Sequence, residues 1–195
     1  LNQKAHRPPT LFSYVVDHDN GFAPNPANGY CTLVHCKFGG LRGPKNIVEL
    51  AEVGDWVIGT GGSSKHSAGH GRIIYLMRVD EKLPFGEFLN DRRFRGRWDC
   101  QDLGSNNAFA LVSKHYFYLG SNALNLEALP YELAANLAKK GPGFRRDYPT
   151  EKIPLLARWF GRKLNVGVLG EPCGDSDMKN AFRLDDMRKA DSRCC

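Results

Sequence analysis

Gly54-Asp55-Trp56-Val57-Ile58-Gly59-Thr60-Gly61-Gly62, followed after a polar loop by Gly71-Arg72-Ile73-Ile74-Tyr75-Leu76-Met77-Arg78-Val79, reads as strand, glycine-rich turn, strand. Val57, Ile58, Ile73, Ile74 and Val79 have the β-branched side chains that suit a half-buried sheet. Gly59, Gly61 and Gly62 let the backbone bend sharply or come close to another group. Alternation puts Trp56 and Ile58 on one face, and Asp55, Val57 and Gly59 on the other. If the tryptophan face opens into a sheet mouth, Trp56 stacks on a flat ligand, and Gly59, Thr60 and Gly61 meet that ligand's polar edge. Packing inside a core explains the same tryptophan.

Working outward, residues 11–17 read as a first strand and 30–36 as a second. Between them lies Asp19-Asn20-Gly21-Phe22-Ala23-Pro24-Asn25-Pro26-Ala27-Asn28-Gly29, dense in turn formers. Residues 44–53 fit a short helix, 83–91 a helical turn, 108–113 a strand and 115–119 an extended continuation. The character then changes. Residues 130–140 look helical, opened by Pro130 and stopped by Gly141-Pro142-Gly143. Thr150 is expected to cap a further helix over 151–163, in which Leu155, Leu156, Trp159 and Phe160 fall at helical spacing. Strands early and helices late indicate an α+β fold. The expected form is a small, partly open β-barrel with peripheral helices and a helical C-terminal extension. One domain is expected over 1–165, with 166–195 as a loosely attached tail.

A chain of 195 residues with 42% hydrophobic and 25% charged residues has the composition of a globular protein. No apolar run reaches the roughly 18 residues of a membrane span. The six cysteines form no CxxC pair and no secreted-type framework, which points to the cytoplasm. The formal net charge of +6 favours phosphate-bearing partners. Arg92-Arg93-Phe94-Arg95-Gly96-Arg97-Trp98 and Lys139-Lys140-Gly141-Pro142-Gly143-Phe144-Arg145-Arg146 interleave cations with aromatics. That pairing can neutralise phosphates and stack bases, so Arg92, Arg93, Arg95, Arg97, Arg145 and Arg146 are the candidate phosphate contacts. A solvated charged face accounts for them equally.

The stretch from Gly59 to His66 fails as a phosphate-binding loop, because Ser64 replaces the second glycine and His66 the hydroxyl residue after the lysine. His66 and His70, with Cys31, His35 and Cys36, lack the tight pairing of a zinc site, and neither a metal nor a cofactor is expected. Cys31 and Cys36 sit in an apolar strand, a poor setting for a thiolate nucleophile. Asp17 and Asp19 at a strand end, with His35 and His70, are the weak catalytic candidates, and turn formation explains the same aspartates. Phe22, Tyr14 and Asn25 join Trp56 as candidate base contacts, and Tyr30 and Tyr75 are further aromatics near strand ends.

Several of these residues carry a family resemblance. They include Tyr14-Val15-Val16 with Asp19 and Gly21-Phe22-Ala23-Pro24-Asn25-Pro26, then Cys31-Thr32-Leu33 with Cys36-Lys37. Gly54-Asp55-Trp56-Val57 with Gly59-Thr60-Gly61, and Tyr75 to Val79 with Phe85, Phe88, Asp91 and Arg93-Phe94, continue it. Phe117-Tyr118-Leu119-Gly120-Ser121-Asn122-Ala123 completes it. Over roughly residues 11–160 the chain resembles the nucleotide modification associated domain 2 family of bacteria and phages, and more distantly the PUA/EVE type of barrel. The resemblance implies a nucleic-acid or nucleotide binding module that recognises a modified or flipped base in a modification or defence system. It carries over no catalytic residue. An enzyme acting on a base or nucleotide is the alternative, and a subunit docking a modification or restriction enzyme through its C-terminal helices is another.

Overall fold

The computed structural model describes residues 7–34, 45–100 and 108–174. Its strands are β1 (Leu11–Val16), β2 (Cys31–Leu33), β3 (Trp56–Gly61), β4 (Arg72–Arg78), β5 (Glu81–Pro84), β6 (Phe109–Ser113), β7 (Tyr116–Tyr118), β8 (Leu124–Asn125), β9 (Phe144–Arg145) and β10 (Gly167–Val168). The helices are α1 (Ile47–Leu50), α2 (Phe85–Asn90), α3 (Tyr131–Ala134) and α4 (Ile153–Lys163). One sheet has the order β10-β7-β4-β3-β1-β9, with β8 on β4, and the other has the order β2-β6-β5. The fold is α+β with a core made mostly of sheet. The strands form two sheets that do not close into a barrel.

A corner joins them. The chain of β4 bends into β5 and that of β6 into β7, so one long ribbon serves both sheets. The Asp80 carboxylate fixes the bend by accepting the backbone N–H groups of Lys114 (2.7 Å) and His115 (3.2 Å). β1 and β3 run parallel at the centre of the large sheet, from Leu11 opposite Trp56 to Val16 opposite Gly61.

The strand period of two sorts the side chains into two cores. Leu11, Trp56, Ile58 and Phe117 face α4, which returns Ile153, Leu156 and Phe160. Phe12, Val16, Val57, Tyr75 and Tyr118 face the gap between the sheets, which Cys31, Leu33 and Leu111 fill and Ile47 and Val48 of α1 close. The spacing of Ile153, Leu156 and Phe160 makes one apolar stripe, with Pro154 in the first turn and Arg162 and Lys163 in the last favouring the helix. The expected Thr150 cap does not form; Thr150 lies in a short 3-10 turn before α4.

Three expected elements are shorter than their patterns suggest. α1 opens on a reciprocal cap between Asn46 and Glu49 but stops after Leu50. The Asp55 carboxylate then accepts the Glu52 and Thr10 amides and turns the chain into β3. α3 ends because Asn136 adopts a left-handed φ of 62° and Leu137 comes to the sheet, its carbonyl accepting the Ser13 hydroxyl at 2.6 Å. β2 is described only to Leu33; His35 and Cys36 lie outside the described residues. The boundary expected at 165/166 falls just before β10, which pairs parallel to β7. Of the expected tail, residues 166–174 are described and hydrogen-bond to the domain: Ser121 N–H donates to the Glu171 carbonyl, and Gly174 N–H to that of Asp19, both at 2.7 Å. No helix among the described residues is long and apolar enough to cross a membrane.

His115 at the corner stands edge-on to Trp56 and Phe117, with ring centroids 5.6 and 5.7 Å away. Burial, and then the Arg78 cation, pull its imidazole below the ordinary 6.5, against the opposing pull of Asp80. The unfolded chain therefore takes up this proton more readily than the folded one. The stability this histidine contributes is full above 6.5 and is lost as pH falls through the folded value. Denaturation midpoints followed downward from neutral pH should show this loss, and His115→Gln should flatten it.

Candidate nucleic-acid interface

The proline-asparagine loop and the first basic segment meet in a buried knot. Successive turns over 91–100 carry the chain past the loop, with Arg97 and Asp99 pointing in. Arg97 Nε donates to Asp99 at 3.0 Å, and its terminal nitrogens donate to the carbonyls of Ala27 (2.9 Å) and Asn25 (2.8 Å). Asp99 also accepts Asn25 Nδ2 at 2.9 Å and the Thr32 hydroxyl. Charge on Arg97 is thus consumed internally, and this arginine leaves the candidate phosphate contacts. Asn25 likewise serves the knot, its Oδ1 accepting the Ala27 amide at 3.0 Å.

Since neighbouring residues of a turn diverge, burial of Arg97 and Asp99 leaves Trp98 facing outward. Its ring meets Phe22 at a centroid distance of 5.1 Å and an interplanar angle of 60°, and both residues are half-buried. Arg92 and Arg95 in the same run of turns are exposed, and neither forms an ion pair among the described residues. Arg93 is held elsewhere: Glu81 and Asp91 grip its guanidinium at 2.6 and 2.7 Å, and it lies over Phe94. The same grip lowers the carboxyl groups of Glu81 and Asp91. In the second basic segment Arg145 pairs with Asp147 at 2.7 Å, while Arg146 is exposed.

The strand-end candidates separate in the same way. Asp19 is buried, accepting the Tyr118 hydroxyl at 2.5 Å and the Cys173 amide at 3.1 Å. Burial, and then this carboxylate, raise the Tyr118 phenol well above its ordinary value. Asp19 is therefore a structural tie for the 167–174 segment and is closed to substrate. Asp17 is exposed and accepts the Ser64 amide at 3.1 Å. Beside it the His18 and His66 rings stack at 5.8 Å, whereas His70 is exposed farther along the loop. Burial raises the Cys31 thiol strongly, which rules it out as a nucleophile. Among the described residues no group of three or more His, Cys, Asp or Glu converges to hold a metal.

The expected cage around Trp56 does not form. The indole is 8% exposed, in the core against α4, because alternation places it with Ile58 and the helix needs that face covered. Tyr14 lies on the opposite face, where its hydroxyl accepts that of Tyr75 at 2.9 Å. The hairpin glycines admit the protein's own groups. A Cβ on Gly59 would come within 2.6 Å of Tyr75 and Val16 atoms; one on Gly61 would strike the Gly69 carbonyl oxygen; one on Gly62 would strike the Asp17 carboxylate. Thr60 is buried, its hydroxyl directed at the Tyr14 carbonyl at 3.4 Å. Gly59, Thr60 and Gly61 offer no edge to a ligand.

Phe22 lies three positions after Asp19, at most about 11 Å of chain away. Asp19 N–H donates to the His66 carbonyl at 3.0 Å, which ties the strand end to the histidine loop. The sequence offers Phe22 and the arginines as contacts, whereas Trp98 as the partner of Phe22 emerges only from the fold, which buries Arg97 and Asp99 on either side of it.

The fold is an α+β domain in which the 91–100 turns carry Trp98, set against Phe22, and the exposed Arg92 and Arg95, neither in an ion pair among the described residues. The chain belongs to the nucleotide modification associated domain 2 family, whose model matches residues 8–102 and 96–180. No curated protein and no solved structure matches it.

Proposed function

We propose that this chain is a nucleic-acid or nucleotide binding module that recognises a modified or flipped base. The base lies against Phe22 and Trp98, and Arg92 and Arg95 hold the flanking phosphates, with Arg146 as a more distant contact. The observation carrying this reading is the half-buried Phe22–Trp98 pair in the same run of turns as Arg92 and Arg95, two exposed guanidinium groups with no ion pair among the described residues. Family membership supports a place in a nucleotide-modification or defence system, acting in the cytoplasm beside a modification or restriction enzyme. The sheet corner is read as part of a partly open, PUA-like barrel.

Titration of plain and base-modified oligonucleotides, single-stranded and duplex, tests it. Stacking is worth about 1–3 kcal/mol per base, so Trp98→Ala should weaken binding by about 5- to 150-fold. Arg92→Ala and Arg95→Ala should each reduce the slope of log affinity against log salt by about 0.7–0.9. A folded Trp98→Ala variant with unchanged affinity for every oligonucleotide overturns the site. A second reading, an enzyme acting on a base or nucleotide, is favoured by exposed Asp17 beside the stacked His18 and His66. Product detected by mass spectrometry and lost in Asp17→Asn would establish that one instead.

A further inference from the structure

We propose that the outer face of α4, continued by Val166 and Val168, docks an acidic amphipathic helix of a protein partner. α4 turns Ile153, Leu156 and Phe160 into the core. Residues three and seven positions after Leu155 share its side of the helix, which places Leu155, Arg158 and Arg162 in one exposed stripe, bordered by Trp159, which is partly buried against the core. Leu155 is 48% exposed, and Val166 and Val168, three and five residues past the helix, are 51% and 47% exposed. Exposed arginines next to a partly buried tryptophan are residue types enriched at interface centres.

Charge selects the occupant. α4 contains Arg158, Arg162 and Lys163 and no acidic residue, and the whole chain carries +6. A second copy would bring like charges together, whereas an acidic face would pair with them. A nucleic-acid backbone would satisfy the arginines yet leave Leu155, Val166 and Val168 in water. A ridge of side chains along a helix packs into the groove of another helix. β10 has only two residues, too few for an added strand to gain much. The occupant is therefore a helix with an apolar stripe and glutamate or aspartate flanks.

The test uses the whole chain, isotopically labelled, and a synthetic helical peptide of about five turns with a leucine stripe flanked by glutamates. The same peptide with lysine flanks is the control. Saturable binding of the glutamate peptide should shift the backbone signals of 155–168 and leave those of Phe22 and Trp98 in place. Arg158→Glu with Arg162→Glu, both on the exposed surface, should weaken that binding at least about tenfold and admit the lysine peptide. No saturable binding, binding indifferent to charge reversal, or occupation of this face by a single-stranded oligonucleotide overturns the proposal. The Phe22 and Trp98 signals report separately on base binding, so either reading can fail alone.

Discussion

Asp99→Ala should lower folding stability by about 3–5 kcal/mol, because it leaves a buried guanidinium without its counter-charge. Asp99 and Arg97 are both wholly buried, 3.0 Å apart, and Asp99 also receives Asn25 and Thr32. Removing the carboxylate leaves Arg97 with the neutral Ala27 and Asn25 carbonyls as its main remaining acceptors and removes the ties from Asn25 Nδ2 and the Thr32 hydroxyl to the 91–100 turns. Small domains have only about 5–15 kcal/mol of stability in all, so the variant should unfold at far lower denaturant. The double variant Arg97→Met, Asp99→Leu should recover part of the loss, since neither partner is then left charged and alone. Urea unfolding of the three variants checks this. A loss below about 1 kcal/mol for Asp99→Ala would mean that the pair is weak or hydrated.

Gly61→Ala should cost about 3 kcal/mol, the upper end of the usual range for overpacking. The new Cβ would strike the Gly69 carbonyl oxygen and come within 2.8 Å of that residue's carbonyl carbon and amide nitrogen. Backbone cannot rotate aside as a side chain does, so the whole loop must lift. With it go the bond from Asp19 N–H to the His66 carbonyl (3.0 Å) and that from the Ser67 hydroxyl to the Val16 carbonyl (2.6 Å). Gly86→Ala is the matched control: it lies in α2 with nothing within 4 Å of the added carbon. Helix propensity should there make alanine neutral or stabilising by up to about 1 kcal/mol. Equal midpoints for the two variants would contradict the packing described for the hairpin.

The central hairpin, the first strand and the α4 stripe were legible because each is a local period written in side-chain polarity. Tyr14 and Trp56 show where that legibility ends. Alternation told that Trp56 and Ile58 share a face, but not that α4 would cover it. The glycines of the hairpin were read as openings toward a ligand. They are contacts with Tyr75, Gly69 and Asp17, partners that only the tertiary fold brings near. The basic segment misled in a similar way. Seven residues with four arginines look uniform in sequence, yet turn geometry sends Arg97 inward to Asp99, pairs Arg93 with two carboxylates and leaves Arg92 and Arg95 outside. Lengths of α1 and α3 were overstated because Asp55 and Asn136 end them through contacts or a backbone conformation that hydrophobic spacing does not encode.

The claim on which the functional reading stands is that a base rests on the ring of Trp98. The chain has three tryptophans, so Trp56→Phe with Trp159→Phe leaves Trp98 as the sole indole emitter. Oligonucleotide added to this variant should quench that emission along the same saturation curve that anisotropy of the labelled oligonucleotide follows. Anisotropy that rises to saturation while the emission stays constant would contradict the account, because the nucleic acid would then be bound somewhere else on the chain.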